Sequence, residues 1–435
     1  MLPSVVNASS CRSRPLPPVG VPRPAPAVSA ERVERPCAAE DRAASRSALR
    51  DILAAVASGA RVLIGLAVMA AAIVVAVLAG VGWPASRYLH GDFIQYWLAG
   101  QALLQARDPY DPPTWRALYE EIGSRGEIYA GLGFFYPLTT AVVALPFALL
   151  PVAVAAPAWF VSQGLSAVGG LAALGRQLFR QAPGRDLALL AVLALAIEPV
   201  FVTAGEGNIA RFLPGVVSGG LALLVAGQPL AAGAVLSLAI VKPQLFLFFA
   251  PALVVSCASE SRRRLFAGGL MMAGVLGVVS VVLQPSWIGE WLAQSRLVFG
   301  AYGETSLWGI LGADRRAVGW AIVLCAAVAY FWWRHASRPS LPVAAAAALG
   351  LSVFVAPYAH EYDEAVLLAG VPVLLARIAT LSRAARLGFI IVLVVTSPAL
   401  VLLSAAGLIP PGPELLIPGP ALCVLVVVAD RIAPR

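Results

Sequence analysis

Asp92, Gln95 and Tyr96 lie together in GDFIQYWLAGQALLQARDPYDP (residues 91–112), the densest cluster of polar and aromatic side chains in the chain. On a helix, positions i, i+3 and i+4 share a face, so these three groups point the same way. A carboxylate in such company is suited to take a proton from a hydroxyl group as a general base. Asp92 also fits a plainer role, as the N-cap of a helix that begins at Phe93, because aspartate is a preferred cap. Lys242 is the only lysine in the chain, and it interrupts the apolar run LAIVKPQLFLFF. An ionisable residue in such a run marks a functional site by default. Its ammonium suits a phosphate oxygen as a point charge. The structural alternative is an ion pair with Glu198 of IEPVF.

Two further polar groups have the composition of a binding site. GEGNIAR (205–211) offers Glu206, Asn208 and Arg211 in a glycine-relaxed turn. APYAHEYDEAVLL places His360, Glu361, Tyr362, Asp363 and Glu364 at a helix boundary, where one or more can orient a sugar. Polar loop tips and interfacial tyrosines also occur with no specific task. Asp108 and Asp111 of RDPYDP read as turn residues, and a DxxD pair is only a weak metal signal. The cysteines are scattered without CxxC spacing, so neither a disulfide framework nor a metal site is expected.

The elements that must position these residues are apolar helices. The chain has 435 residues, 60% hydrophobic and only 12% charged, with a net charge of +8. Soluble domains carry about 25% charged residues, so the composition excludes a large soluble domain. Spans of about 20 apolar residues can be drawn about ten to twelve times, which predicts an all-α polytopic membrane protein. The positive charge comes from arginines in short loops and sets membrane orientation; no nucleic-acid partner is implied.

Residues 1–50 are rich in Pro, Ala and Arg and should be disordered, with no apolar stretch to make a signal peptide. Residues 51–435 form the membrane domain. Span 1 (62–82) crosses from a cytoplasmic N-terminus and delivers residues 83–136 to the outer face as its long polar loop. The helix that starts near Asp92 should lie along the membrane surface, with Phe93, Trp97 and Leu104 turned to lipid, and should end at Asp108-Pro109. The run 134–151, broken by Pro137, Pro146 and Pro151, reads as a partial helix followed by one true crossing. A further span is expected over 187–205. Lys242-Pro243 should break the run 230–257 into two halves of about 18 Å, each too short to cross alone. Such a break survives where it lines a protein cavity. By the same charge rule GEGNIAR and PYAHEYDE fall outside, while SESRRRL and RHASRPS fall inside.

Taken together, GDFIQYWLAG with its following DPYD, then FFYP, GEGN, VKPQLFLFFAP, QPSWIGEWLAQS and APYAHEYDEAVLL resemble, in order, the motifs of glycosyltransferase family 87. That family groups polyprenol-phosphate-mannose-dependent α-mannosyltransferases of the membrane GT-C superfamily, and the resemblance spans about residues 88–370. It implies a GT-C-type fold with an outer catalytic loop after the first span. It also implies that Asp92, the acid of the family's D-F-x-x-Y/F-W motif, is the catalytic base. Lys242 and Arg211 would bind the donor phosphate; Gln95, Tyr96, Tyr136, Glu206, Asn208, His360, Glu361 and Asp363 would contact substrate. The chain departs from the family's pattern at Tyr136-Pro137-Leu138 (family Y-P-P), at Gly205-Glu206-Gly207-Asn208 (family G-x-G-Q-N) and at Glu361, where many relatives have Asp. These departures touch donor and acceptor identity rather than the reaction class.

The chemistry that the resemblance implies needs few groups. A sugar on a lipid phosphate has a good leaving group, the second pKa of a phosphate monoester being about 6. No general acid is then needed, only a base for the acceptor hydroxyl and cations for the departing phosphate. The expected protein is an inverting hexosyltransferase of the inner (plasma) membrane. Its partners are a polyprenyl-phosphate-linked sugar, a periplasmic-side glycan or glycolipid acceptor and membrane lipid, with no cofactor. A transporter or lipid-linked sugar flippase is the first rival, which predicts acids deep in the spans and an internal repeat. A non-catalytic scaffold of the cell envelope is the second.

Overall fold

The computed structural model describes residues 91–123, 133–179, 207–298, 306–311, 315–382, 384–385 and 418–433. The expected disorder of 1–50, span 1, the span over 187–205 with Glu198, and Glu206 all lie outside the described residues. Among those described, helices are the only regular secondary structure.

Helix α1 (Asp92–Leu104) is followed by α2 (Pro112–Glu121), α3 (Leu138–Ala148) and α4 (Val152–Leu178). A 3-10 turn, Ile209–Phe212, leads into α5 (Leu213–Val225), and α6 (Pro229–Leu236) runs on as the 3-10 segment Ser237–Val241. Past Lys242 come a second 3-10 segment, Pro243–Phe246, and α7 (Phe249–Ser256). The long α8 (Ser259–Leu283), α9 (Trp287–Val298), the short α10 (Leu307–Leu311) and α11 (Arg316–Ser337) follow. The remainder is α12 (Leu341–Val355), the 3-10 helix Glu361–Gly370, α13 (Val371–Ala379) and α14 (Pro418–Ile432).

Helices α4, α8 and α11 are long and apolar enough to cross a membrane. The 27 residues of α4 rise about 40 Å, whereas the 11 of α3 rise only about 17 Å, short of a hydrocarbon core of about 30 Å. The proline-broken run is therefore a partial helix with one crossing after it, as its sequence predicts. Leu270, Val278 and Val282 on α8, and Trp320, Leu324 and Trp332 on α11, are exposed. In a polytopic membrane protein such faces meet lipid rather than water.

Where helices bury against each other, glycine lets their backbones touch. A Cβ on Gly170 of α4 would collide with the backbone of Gly215 on α5, and one on Gly233 of α6 with the backbone of α8 at Leu265. These are the small-residue contacts that membrane helices rely on, because lipid tails leave no hydrophobic gain for helix association.

Lys242 breaks the α6–α7 run as expected. It sits at φ −141°, ψ 68°, outside the helical region, as the residue before a proline tends to. The break frees backbone groups that tertiary partners then satisfy. Thr140 Oγ1 of α3 donates to the Val241 carbonyl (3.3 Å), and Ser352 Oγ of α12 accepts from both Phe248 N and Phe249 N (2.9 Å each). Ser352 thus caps α7 from another helix, doing what an N-cap residue does locally.

Three local expectations are corrected. Asp92 is not the N-cap of α1: Gly91 holds that position, and Asp92 is the first helical residue, making no cap hydrogen bond. Nor does α1 turn a face to lipid through Phe93 and Trp97, since both are buried and only Leu104 of that trio is exposed. The helix is enclosed by α3 and α4, and Trp97 Nε1 donates to the Leu150 carbonyl (3.0 Å). Finally, α1 stops at Leu104, before Asp108-Pro109, because Ala106 turns left-handed (φ 50°) and Arg107 N returns to the Ala102 carbonyl (2.8 Å). Asp108 and Asp111 are the turn residues they were read to be: Asp108 accepts from Tyr110 N (2.8 Å), and Asp111 caps α2 through Thr114 N (3.0 Å).

Candidate active site

The first turn of α1 delivers Asp92 into the interior, 5% exposed. Both of its oxygens are held by side-chain amides. Gln95 Nε2, one turn along α1, donates to Oδ1 (2.9 Å), and Asn208 Nδ2 donates to Oδ2 (2.5 Å). Gln95 and Asn208 are fully buried. The Asn208 amide also lies 3.4 Å from the Tyr136 hydroxyl, which FFYP brings in at the start of α3. Tyr96 completes this side: its ring meets Tyr136 edge-on (5.0 Å between centroids), and its hydroxyl accepts from Ile209 N (3.4 Å).

Opposite stands a buried ion pair between Lys242 Nζ and Asp363 Oδ1. Asp363, from the 3-10 helix Glu361–Gly370, is the partner of Lys242 among the described residues, and the alternative pairing with Glu198 falls outside them. Sequence distance hides this contact, since 121 residues separate the partners and nothing local announces it. The Tyr362 ring lies under the ammonium (4.7 Å) and the Tyr136 ring beside it (5.8 Å). Asp363 Oδ2 accepts from His360 N (3.1 Å), which fixes the helix start. His360 Nε2 meets Tyr358 Oη (2.8 Å), and its ring lies 5.0 Å from that of Tyr362.

Burial pushes the Asp92 carboxyl above its usual range; the Asn208 hydrogen bond and the Lys242 charge pull it down, and Asp363 pushes it further up. Those charges couple because Asp92, Lys242 and Asp363 share one water-poor centre walled by Tyr96, Tyr136 and Tyr362.

Of the residues singled out in the sequence, Asp92, Gln95, Tyr96, Tyr136, Asn208, Lys242 and Asp363 come together here. His360 borders the centre through its backbone contact with Asp363, and Glu361 opens the same helix. Arg211 stands one 3-10 turn beyond Asn208, half-buried, its N–H on the Asn208 carbonyl (3.4 Å). No ion pair of its guanidinium is found among the described residues. Sequence reasoning missed Trp159 and Gln163 of α4. Trp159 Nε1 donates to the Gly207 carbonyl (2.8 Å), and Gln163 Nε2 to that of Asn208 (2.9 Å). The available signal was a glutamine inside an apolar span, where polar side chains seldom stand without a partner.

An all-helical membrane protein with a buried carboxylate, a buried lysine–carboxylate pair and tyrosine walls defines a class: an integral membrane protein with a polar centre fit for acid–base work. The profile of glycosyltransferase family 87 matches residues 134–359, more than half of the chain. The chain therefore belongs to glycosyltransferase family 87, and it is a membrane glycosyltransferase. No curated protein and no solved structure matches it. Tyr136, Asn208 and Lys242 fall within the matched segment, whereas Asp92 and Asp363 flank it on either side. Each outlying acid is bound to a matched residue, Asp92 to Asn208 and Asp363 to Lys242.

Proposed function

We propose that the protein moves a hexose, mannose by the family's habit, from a polyprenyl phosphate to a periplasmic-side glycan or glycolipid at the inner membrane. Asp92 is the base. The acceptor hydroxyl oxygen attacks the anomeric carbon while its proton passes to the Asp92 carboxylate. The bond from that carbon to the phosphate oxygen breaks, its electron pair leaves with the lipid phosphate, and the anomeric configuration inverts. Lys242 steadies the departing phosphate with the N–H groups that Asp363 leaves free, and Arg211 supplies a second cation. Residues 51–435 act as one catalytic membrane domain, with 83–136 as its outer loop.

The observation that carries this reading is the Asp92 carboxylate, buried and held at both oxygens, in the same centre as the only lysine. A carboxylate oxygen accepts more than one hydrogen bond, so each retains a lone pair that an acceptor hydroxyl can use. Family membership favours transfer over the transporter reading. The test is transfer of radiolabelled mannose from polyprenyl-phosphate-mannose in membrane vesicles, wild type against Asp92→Asn at equal protein level. Loss of transfer in the variant supports the base; equal transfer by both removes Asp92 from that role.

A further inference from the structure

We propose that Asn208 is a positioning residue that aims the Asp92 carboxylate, and that Trp159 and Gln163 of α4 hold it in place from behind. The inference rests on Asp92 being the base. It also departs from the sequence-based expectation that Asn208 touches substrate.

The Asn208 amide is already engaged. One side gives Nδ2 to Asp92 Oδ2 (2.5 Å) with the Tyr136 hydroxyl at 3.4 Å, and the other, Oδ1, accepts from Ala210 N (2.8 Å). The Ala210 bond fixes which end of the amide faces the acid, because only Nδ2 can donate. Fully buried and bonded at both ends, the side chain offers nothing toward a sugar.

Its backbone is gripped in the same way. Trp159 and Gln163 stand one turn apart on α4 and donate to consecutive carbonyls, those of Gly207 and Asn208. The turn cannot slide toward α1 either. Gly207 has φ +69°, and a Cβ there would fall 2.7 Å from the Cβ of Phe93, the neighbour of Asp92. Phe93 in turn packs its ring on Trp159 (5.9 Å). A 27-residue helix long enough to cross the membrane thus anchors the turn that presents the Asn208 amide to Asp92.

A buried carboxylate needs this help to stay charged. Asp92 is faced by Lys242, which favours its anion, by Asp363, which opposes it, and by the phenols of Tyr96, Tyr136 and Tyr362. Removing the Asn208 donor removes a bond made to the anion, so the carboxyl should titrate at higher pH.

The experiment is a pH titration of the Asp92 carboxyl by infrared difference spectroscopy on the purified full chain in lipid nanodiscs, its band assigned by loss in Asp92→Asn. Asn208→Leu should move the midpoint up by about one to two pH units, the worth of one hydrogen bond to a charged group. Gln163→Met, which leaves the amide in place but frees its backbone, should move it the same way by less; it serves as the test if Asn208→Leu does not fold. In vesicles given polyprenyl-phosphate-mannose, Asn208→Leu should lower kcat by about 10- to 100-fold with KM little changed. An unmoved midpoint in both variants overturns the proposal while leaving the base reading standing. A raised KM with an unchanged midpoint would return Asn208 to substrate binding. A moved midpoint with full transfer by Asp92→Asn would sink the base reading, and the proposal with it.

Discussion

Replacing Lys242 with methionine would leave the Asp363 carboxylate in the interior with its bond from His360 N (3.1 Å) but no cation. The side chains of Lys242 and Asp363 are 2% and 0% exposed, so water cannot take over the lost partner. Removing one member of a buried ion pair costs about 3–5 kcal/mol, whereas replacing both with apolar groups is often neutral or better. Lys242→Met should therefore fall near the top of that range. Lys242→Met with Asp363→Leu should recover most of it, less about 1 kcal/mol for the hydrogen bond to His360 N. The assay is denaturant unfolding in one detergent, followed by tryptophan fluorescence, on wild type, the two single variants and the double variant. The coupling energy of this cycle, the two single costs less that of the double variant, should then be at least about 5 kcal/mol. A Lys242→Met protein within about 1 kcal/mol of wild type, with no recovery in the double variant, would refute the picture of a dry, mutually dependent pair. Transfer measured on the same proteins separates structure from chemistry. A double variant that is stable but inactive fits Lys242 as a phosphate ligand, and one that is stable and active removes it from that role.

Gly207→Ala forces a side chain into the left-handed region and against Phe93, at a cost of about 1–2 kcal/mol from backbone strain alone. Its kcat should fall because Asn208 moves with the turn, and a variant equal to wild type in stability and rate would contradict the tight seating of this turn on α1. Ser352→Ala leaves Phe248 N and Phe249 N without an acceptor at the start of α7, and should cost about 1–2 kcal/mol in the same unfolding assay. Ser352→Thr, which keeps the hydroxyl, should be milder.

The break at Lys242-Pro243 was legible because both of its causes are local: a proline that removes an N–H, and the restriction it places on the residue before it. The partial helix of 134–151 was legible for the same reason. Membership of the site was legible in part through order and residue type, since Asp92, Tyr136, Asn208, Lys242 and Asp363 each stand in a short polar motif between apolar runs. Pairing within the site was not. The partner of Lys242 is set by how the 3-10 helix at Glu361–Gly370 packs, and Glu198 was as reasonable by composition. Likewise, the apolar face of α1 looks the same whether lipid or α3 and α4 cover it, so periodicity alone sent Phe93 and Trp97 to the wrong surroundings. The bonds of Asn208 were hidden for a related cause. A polar residue in a turn suggests an outward role until the bonds that occupy it are seen.

A single lysine buried in a protein whose other basic side chains are arginines has a practical consequence. Its nitrogen is the chain's sole side-chain primary amine, and Lys242 is 1% exposed. Amine-directed acylating reagents should therefore find no accessible side-chain amine on the folded protein. A lysine-specific endoproteinase should likewise leave the folded chain whole, yet cut the unfolded one once, at residue 242. Amine labelling at that position is therefore a built-in clock for the opening of the polar centre, with no engineered probe.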